Sequence, residues 1–164
     1  TSFEELPDLL PAGTTLALSR HPEMTPEQAA ALLKGVIAGT GDRIKVSGDI
    51  LDFVEFFEGD DDFPLEEKAW NKRLVNDPAA VPLLKEFREK LAAVPASGWT
   101  PASLESLFMS FIEEKQVKPA QLIHALRVAS TGKGVGIGMF EALELLGPSR
   151  TLKRIDRVLN LLNV

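Results

Sequence analysis

The 164-residue chain has no cysteine, which excludes disulfides, a thiolate nucleophile and any cysteine-ligated zinc or iron–sulfur centre. Histidine is scarce as well. His21 and His124 are far apart, and neither has a helical partner four residues on, so a histidine-based zinc site has nothing to build on. No apolar run approaches the ~18 residues of a membrane-crossing helix, and the opening TSFEELPDLL is acidic where a secretory leader is basic and then apolar. No serine stands in a G-x-S-x-G elbow, and nothing singles out one carboxylate pair for acid–base work. Catalysis has no visible home here. An initiator methionine is missing too, which suggests a piece of something longer. No metal or cofactor is expected, and a monomer in the cytoplasm, away from membranes, fits these absences. A chain this long buries roughly 70% of its unfolded surface without staples.

Positive charge is in deficit: 18 Lys and Arg against 24 Asp and Glu give −6, which counts against a nucleic-acid partner. The distribution reverses that reading. From Lys118 onward seven basic residues face three acidic ones, giving +4, while residues 1–117 carry 11 basic and 21 acidic side chains, giving −10. An acidic body with a basic end points to a local polyanion contact.

Helix-start chemistry recurs along the chain. Residues 1–24 are irregular, with Thr14–Ser19 ambiguous between a strand and buried coil. Thr25-Pro26-Glu27-Gln28 then supplies a hydroxyl cap, proline where no N–H is needed, and a glutamine able to close a capping box. Ala29, Leu32, Leu33, Val36 and Ile37 follow at helical spacing up to Gly39 and Gly41. Ser47 is placed to cap a second helix striped by Ile50, Phe53, Val54 and Phe57. Its end, EGDDDFP, lacks the alternation and distal glutamate of a calcium loop and reads as a solvated turn. Further helices are expected over Pro64–Val75, from Asp77-Pro78 to about Val94, from Thr100-Pro101 through Ile112, and from about Pro119 to Ala129. Pro82, inside the first turns of one of them, is a candidate bend. No hairpin signal interrupts the series. The expected fold is all-α, about eight helices in two bundled subdomains, 1–97 and 98–164, meeting near Pro95–Gly98.

The stretch Leu126–Arg157, LRVASTGKGVGIGMFEALELLGPSRTLKRIDR, is the most unusual part of the chain. Gly132, Gly134, Gly136 and Gly138 imitate a nucleotide-binding loop, but they follow a helical pattern where a dinucleotide fingerprint follows a strand. Gly-Lys is followed by Gly134, so the Walker pattern fails too. A turn needing positive φ, or a backbone that approaches a ligand closely, is the default. A helix restarts at Gly138, and Gly-Pro-Ser then breaks it. In the last helix Leu152, Ile155, Leu159 and Leu162 form one side, with Arg150, Lys153, Arg154 and Arg157 opposite. That basic face meets phosphates or is simply solvated. Arg127, just before the glycine turn, has two readings: its guanidinium stacks on or hydrogen-bonds an unstacked base, or it pairs with Glu141 or Glu144.

The succession L-R-V-A-x-T-G, G-M-F-E-A-L-E-L-L-G and L-K-R-I-D-R-V-L resembles the C-terminal end of bacterial-type glutamyl-tRNA synthetases, class I aminoacyl-tRNA synthetases. Phe53–Phe57, an acidic turn and LEEKAWNKRL extend the likeness toward the start. The resemblance implies two helical subdomains behind a catalytic domain that uses ATP and magnesium, the second subdomain inspecting the tRNA anticodon. By that likeness Arg127, Gly136, Ile137 and Met139 meet anticodon bases, Thr131 and Gly132 hold the turn, and Lys133 joins the basic face on the tRNA backbone. Ser130 departs from a usual leucine, and Gly136-Ile137 from a polar residue followed by proline. The ATP-binding signatures of the catalytic domain are not in this sequence. The family includes members specific for glutamate tRNA and members that also charge glutamine tRNA. A free-standing helical interaction module and a small-phosphate binder are the rival readings.

Overall fold

The computed structural model describes residues 25–40, 56, 58–61 and 63–163. The irregular start with His21 and the helix assigned to Ser47 lie outside the described residues. Among the described residues the fold is all-α, with six α-helices and no strand. Contacts divide the chain into two compact units, Thr1–Phe63 and Pro64–Val164, so the expected boundary at 97/98 falls inside the second unit.

In the first unit α1 spans Pro26–Thr40. Its capping box forms as the residues demand: Gln28 N donates to Thr25 Oγ1 at 3.2 Å, and Thr25 N donates to Gln28 Oε1 at 2.9 Å. Leu33 and Val36 are buried. The acidic turn is not the solvated one expected from its composition, because Glu58 and Asp60 are buried while Asp61 is exposed. Burying a carboxylate is costly unless it is compensated, and neither residue is without an interaction.

In the second unit α2 covers Glu67–Trp70 and runs on as a π-helical turn, Asn71–Val75, closed by Asn76 N donating to Asn71 O at 2.8 Å. This helix starts three residues later than expected. α3 spans Ala80–Ala92, and Pro82, in its first turn, takes a place where an N–H has no intrahelical acceptor. α4 spans Pro101–Lys115 behind a Thr100 cap, with Ser103 N donating to Thr100 Oγ1 at 3.3 Å. α5 spans Ala120–Thr131 and α6 Met139–Leu161. α6 breaks at Gly147, whose φ of 80° and ψ of 167° belong to a region that essentially only glycine visits. Pro148 restarts the helix.

α6 packs against α3, α4 and α5 together, which makes it the axis of the unit. Phe87 of α3 lies edge-on to Phe108 of α4 at 5.5 Å and tilted to Phe111 at 5.4 Å. Phe108 then meets Phe140 of α6 at 5.6 Å. Such contacts add about 0.5–1.5 kcal/mol each beyond area burial. The Trp99 indole donates to Leu143 O at 2.7 Å, one turn before the break. Arg88 of α3 grips Asp156 of α6 through Nε and Nη2, both at 2.8 Å, a fork that fixes the register of the two helices.

Candidate nucleic-acid interface

The interface begins where α5 ends. Ser130 donates its hydroxyl to Leu126 O at 2.8 Å, and Thr131 donates to Arg127 O at 2.8 Å. The helix runs two residues beyond the expected end at Ala129, and both hydroxyls are turned back onto its own carbonyls. Gly132 then takes φ of 77°, and its N–H donates to Val128 O at 2.8 Å, a left-handed stop that suits glycine. Thr131 Oγ1 also accepts from Lys133 N at 3.3 Å, so one hydroxyl holds both sides of the turn. Glu66 N donates to Gly132 O at 2.6 Å, and a Cβ on Gly134 would lie 3.3 Å from Ala69, so the start of α2 is seated against the turn.

Arg127 is half-buried, and its Nη1 donates to Ile137 O at 2.7 Å. A Cβ on Gly136 would come to 3.4 Å from that same nitrogen. The guanidinium thus spans the glycine loop from inside and holds its far arm. Ile137 and Met139 are buried as whole residues, and Ile137 O is taken by Arg127, so these two positions back the loop from within. At the tip Val135 is 79% exposed. A carboxylate, Glu141, folds back over Gly138 at the start of α6, where an acidic group suits the helix dipole.

The basic face needs one correction. Arg154 is wholly buried, 0% exposed, and its Nη1 donates to Ser130 O at 2.8 Å. Two demands draw it inward: α6 is enclosed by three helices, and the last carbonyls of α5 lack intrahelical donors. A cation at that helix end also opposes the dipole. Arg154 is therefore a strut under the glycine turn and offers nothing to a phosphate. Arg150, Lys153 and Arg157 keep to the outer side of α6, within about 60° of arc at 100° per residue. Lys153 is exposed and the two arginines are half-buried.

Two further basic groups escaped the sequence reading. Lys72 and Arg73, in the π-helical turn that packs on α5, act on His124 together with Arg127. Burial first, then these three cations, hold the His124 imidazole below its ordinary range. A basic pair inside the acidic part of the chain gave no signal, since only the fold brings it to α5. Among the described residues no group of three or more histidine, aspartate or glutamate side chains is placed to hold a metal ion. No helix among them is long and apolar enough to cross a membrane.

Residues 8–159 match the family of the anticodon binding domain. The chain is 35% identical over 136 residues to the glutamate–tRNA ligase of Moorella thermoacetica, covering 83% of this chain and 27% of that protein. It is 42% identical over 99 residues to the glutamate–tRNA ligase of Thermus thermophilus, covering 60% of this chain and 20% of the relative. A solved glutamate tRNA ligase from Elizabethkingia meningosepticum superposes with a TM-score of 0.74 at 19% identity, over 98% of this chain and 29% of that one, which shows a shared fold. The chain spans between a fifth and just over a quarter of the length of these curated relatives. With nearly its whole length matched, the chain belongs to the anticodon binding domain family and is homologous to part of the bacterial-type glutamate–tRNA ligases.

Proposed function

We propose that this chain recognises the anticodon of a glutamate-accepting tRNA as the C-terminal part of a glutamate–tRNA ligase, with residues 98–164 doing the reading. The chemistry of aminoacylation, with its ATP and magnesium, belongs to the rest of such an enzyme. The eight-helix, two-subdomain plan is part of the same proposal. The observation that carries it is the half-buried Arg127 beneath a loop nearly stripped of side chains, where Gly136 leaves room for a base to approach guanidinium and backbone together. Unstacked loop bases are recognised by such planar groups and by backbone atoms.

Roles then divide by chemistry. Arg127 and Gly136 face the bases, the buried Ile137 and Met139 shape the loop behind them, and Thr131 and Gly132 set the turn. Lys133, Arg150, Lys153 and Arg157 meet the phosphates, which position the RNA without reading it. Nuclease footprinting of a glutamate tRNA transcript tests the assignment. The chain is expected to protect the anticodon loop; protection confined to the acceptor stem, or none at all, would contradict it.

A further inference from the structure

The α2 side of the glycine turn carries cations of its own. Lys72 and Arg73 lie in the π-helical turn packed on α5, and His124 sits on α5 one turn before Arg127. His124 lies within electrostatic reach of Lys72, Arg73 and Arg127. Among the described residues the side chains of Lys72, Arg73 and His124 have no hydrogen bond or ion pair; Glu66 and Glu67, at the start of α2, do not pair with them. Like charges gathered without a counter-charge repel one another, and a bound polyanion removes that cost. The cluster also adjoins the turn, because Glu66 N holds Gly132 O and Ala69, one helical turn before Lys72 and Arg73, abuts Gly134.

We propose that Lys72, Arg73 and His124 form a second docking surface for the phosphodiester backbone of the RNA, continuous with the glycine turn and separate from the basic face of α6. An RNA strand whose base rests at Arg127 is then gripped on its backbone beside that base as well as along α6. This rests on the anticodon reading for the identity of the RNA, but the contact is to phosphate and is indifferent to sequence.

The test uses the 164-residue chain, a glutamate tRNA transcript and the same transcript with its anticodon changed, with affinities measured across salt. Replacing Lys72 and Arg73 by alanine should weaken both complexes by the same factor. The log–log salt slope should shrink by about 1.4–1.8, from about 0.7–0.9 per phosphate. Between about 50 and 200 mM salt the unaltered chain should therefore lose roughly tenfold more affinity than the variant. The charge-keeping pair Lys72→Arg and Arg73→Lys should retain the steep slope, which separates lost charge from lost fold. An unchanged slope and affinity in the alanine variant overturns the second surface and leaves the anticodon reading intact. A loss against the cognate tRNA alone also overturns it, since that is base reading. If the unaltered chain does not distinguish the two transcripts and the slope still shrinks, the surface stands and the anticodon reading falls.

Discussion

Two arginines at opposite ends of one hydrogen-bonded turn have different fates on substitution. Arg154, buried against Ser130 O, has no solvent to replace it, so Arg154→Ala leaves both a cavity and an unpaired carbonyl at the end of α5. We expect a loss of about 2–4 kcal/mol in urea unfolding, against less than about 1.5 kcal/mol for the half-exposed Arg127→Ala. Equal losses would mean that Arg154 is not the strut described. His124 adds a pH signature. Its folded pKa lies below the ordinary 6.5, pressed down by burial and then by Arg73, Arg127 and Lys72. The neutral form is the one the fold prefers, so its contribution to stability is whole above pH 6.5 and lost as pH falls through the lower folded value. The urea midpoint of the unaltered chain should drop faster below that pH than that of His124→Gln. Parallel curves would mean that His124 lies outside the influence of these three cations.

The threonine-proline helix starts were legible from their residues, whereas Asp77-Pro78 was not a cap, since α3 begins only at Ala80 with no side-chain cap. Thr25 and Thr100 cap as their chemistry requires, because a hydroxyl beside proline has few alternatives, and Gly147-Pro148 breaks α6 where the pair stands. The π-helical turn at Asn71–Val75 was not legible, since one extra residue per turn leaves the apolar spacing of a helix nearly unchanged. Arg154 was hidden for a related reason: periodicity places a residue on a face, but how many neighbours enclose that face is a tertiary fact. Buried Glu58 and Asp60 in an acidic run belong to the same class. Glycines give a test at this scale. A Cβ at Gly147 would touch nothing within 4 Å, yet φ of 80° makes Gly147→Ala costly, about 1–3 kcal/mol. Gly138 is more crowded, but the crowding is only the movable end of Glu141, and its backbone suits a helix cap. Gly138→Ser should therefore shift stability by less than about 0.5 kcal/mol. Urea midpoints in the reverse order would show that space, and not backbone angle, governs these positions.

A molecule with a net charge of −6 binds a polyanion only if its cations are segregated. Three or four phosphate contacts from Lys133, Arg150, Lys153 and Arg157 imply a salt slope on the order of −2 to −4. Replacing Lys153 and Arg157 by alanine should flatten it by about 1.4–1.8 without changing which tRNA is preferred; a salt-independent affinity would remove the basic face of α6 from the interface. The central claim is that the glycine turn reads bases. Its most direct test is the affinity of the unaltered chain and of Arg127→Ala for glutamate tRNA and for the same tRNA with a changed anticodon. The unaltered chain should prefer the cognate anticodon, and Arg127→Ala should cost about 1–3 kcal/mol against it and much less against the altered one. Equal losses on both tRNAs, or no loss on either, with helicity unchanged by circular dichroism, would contradict it.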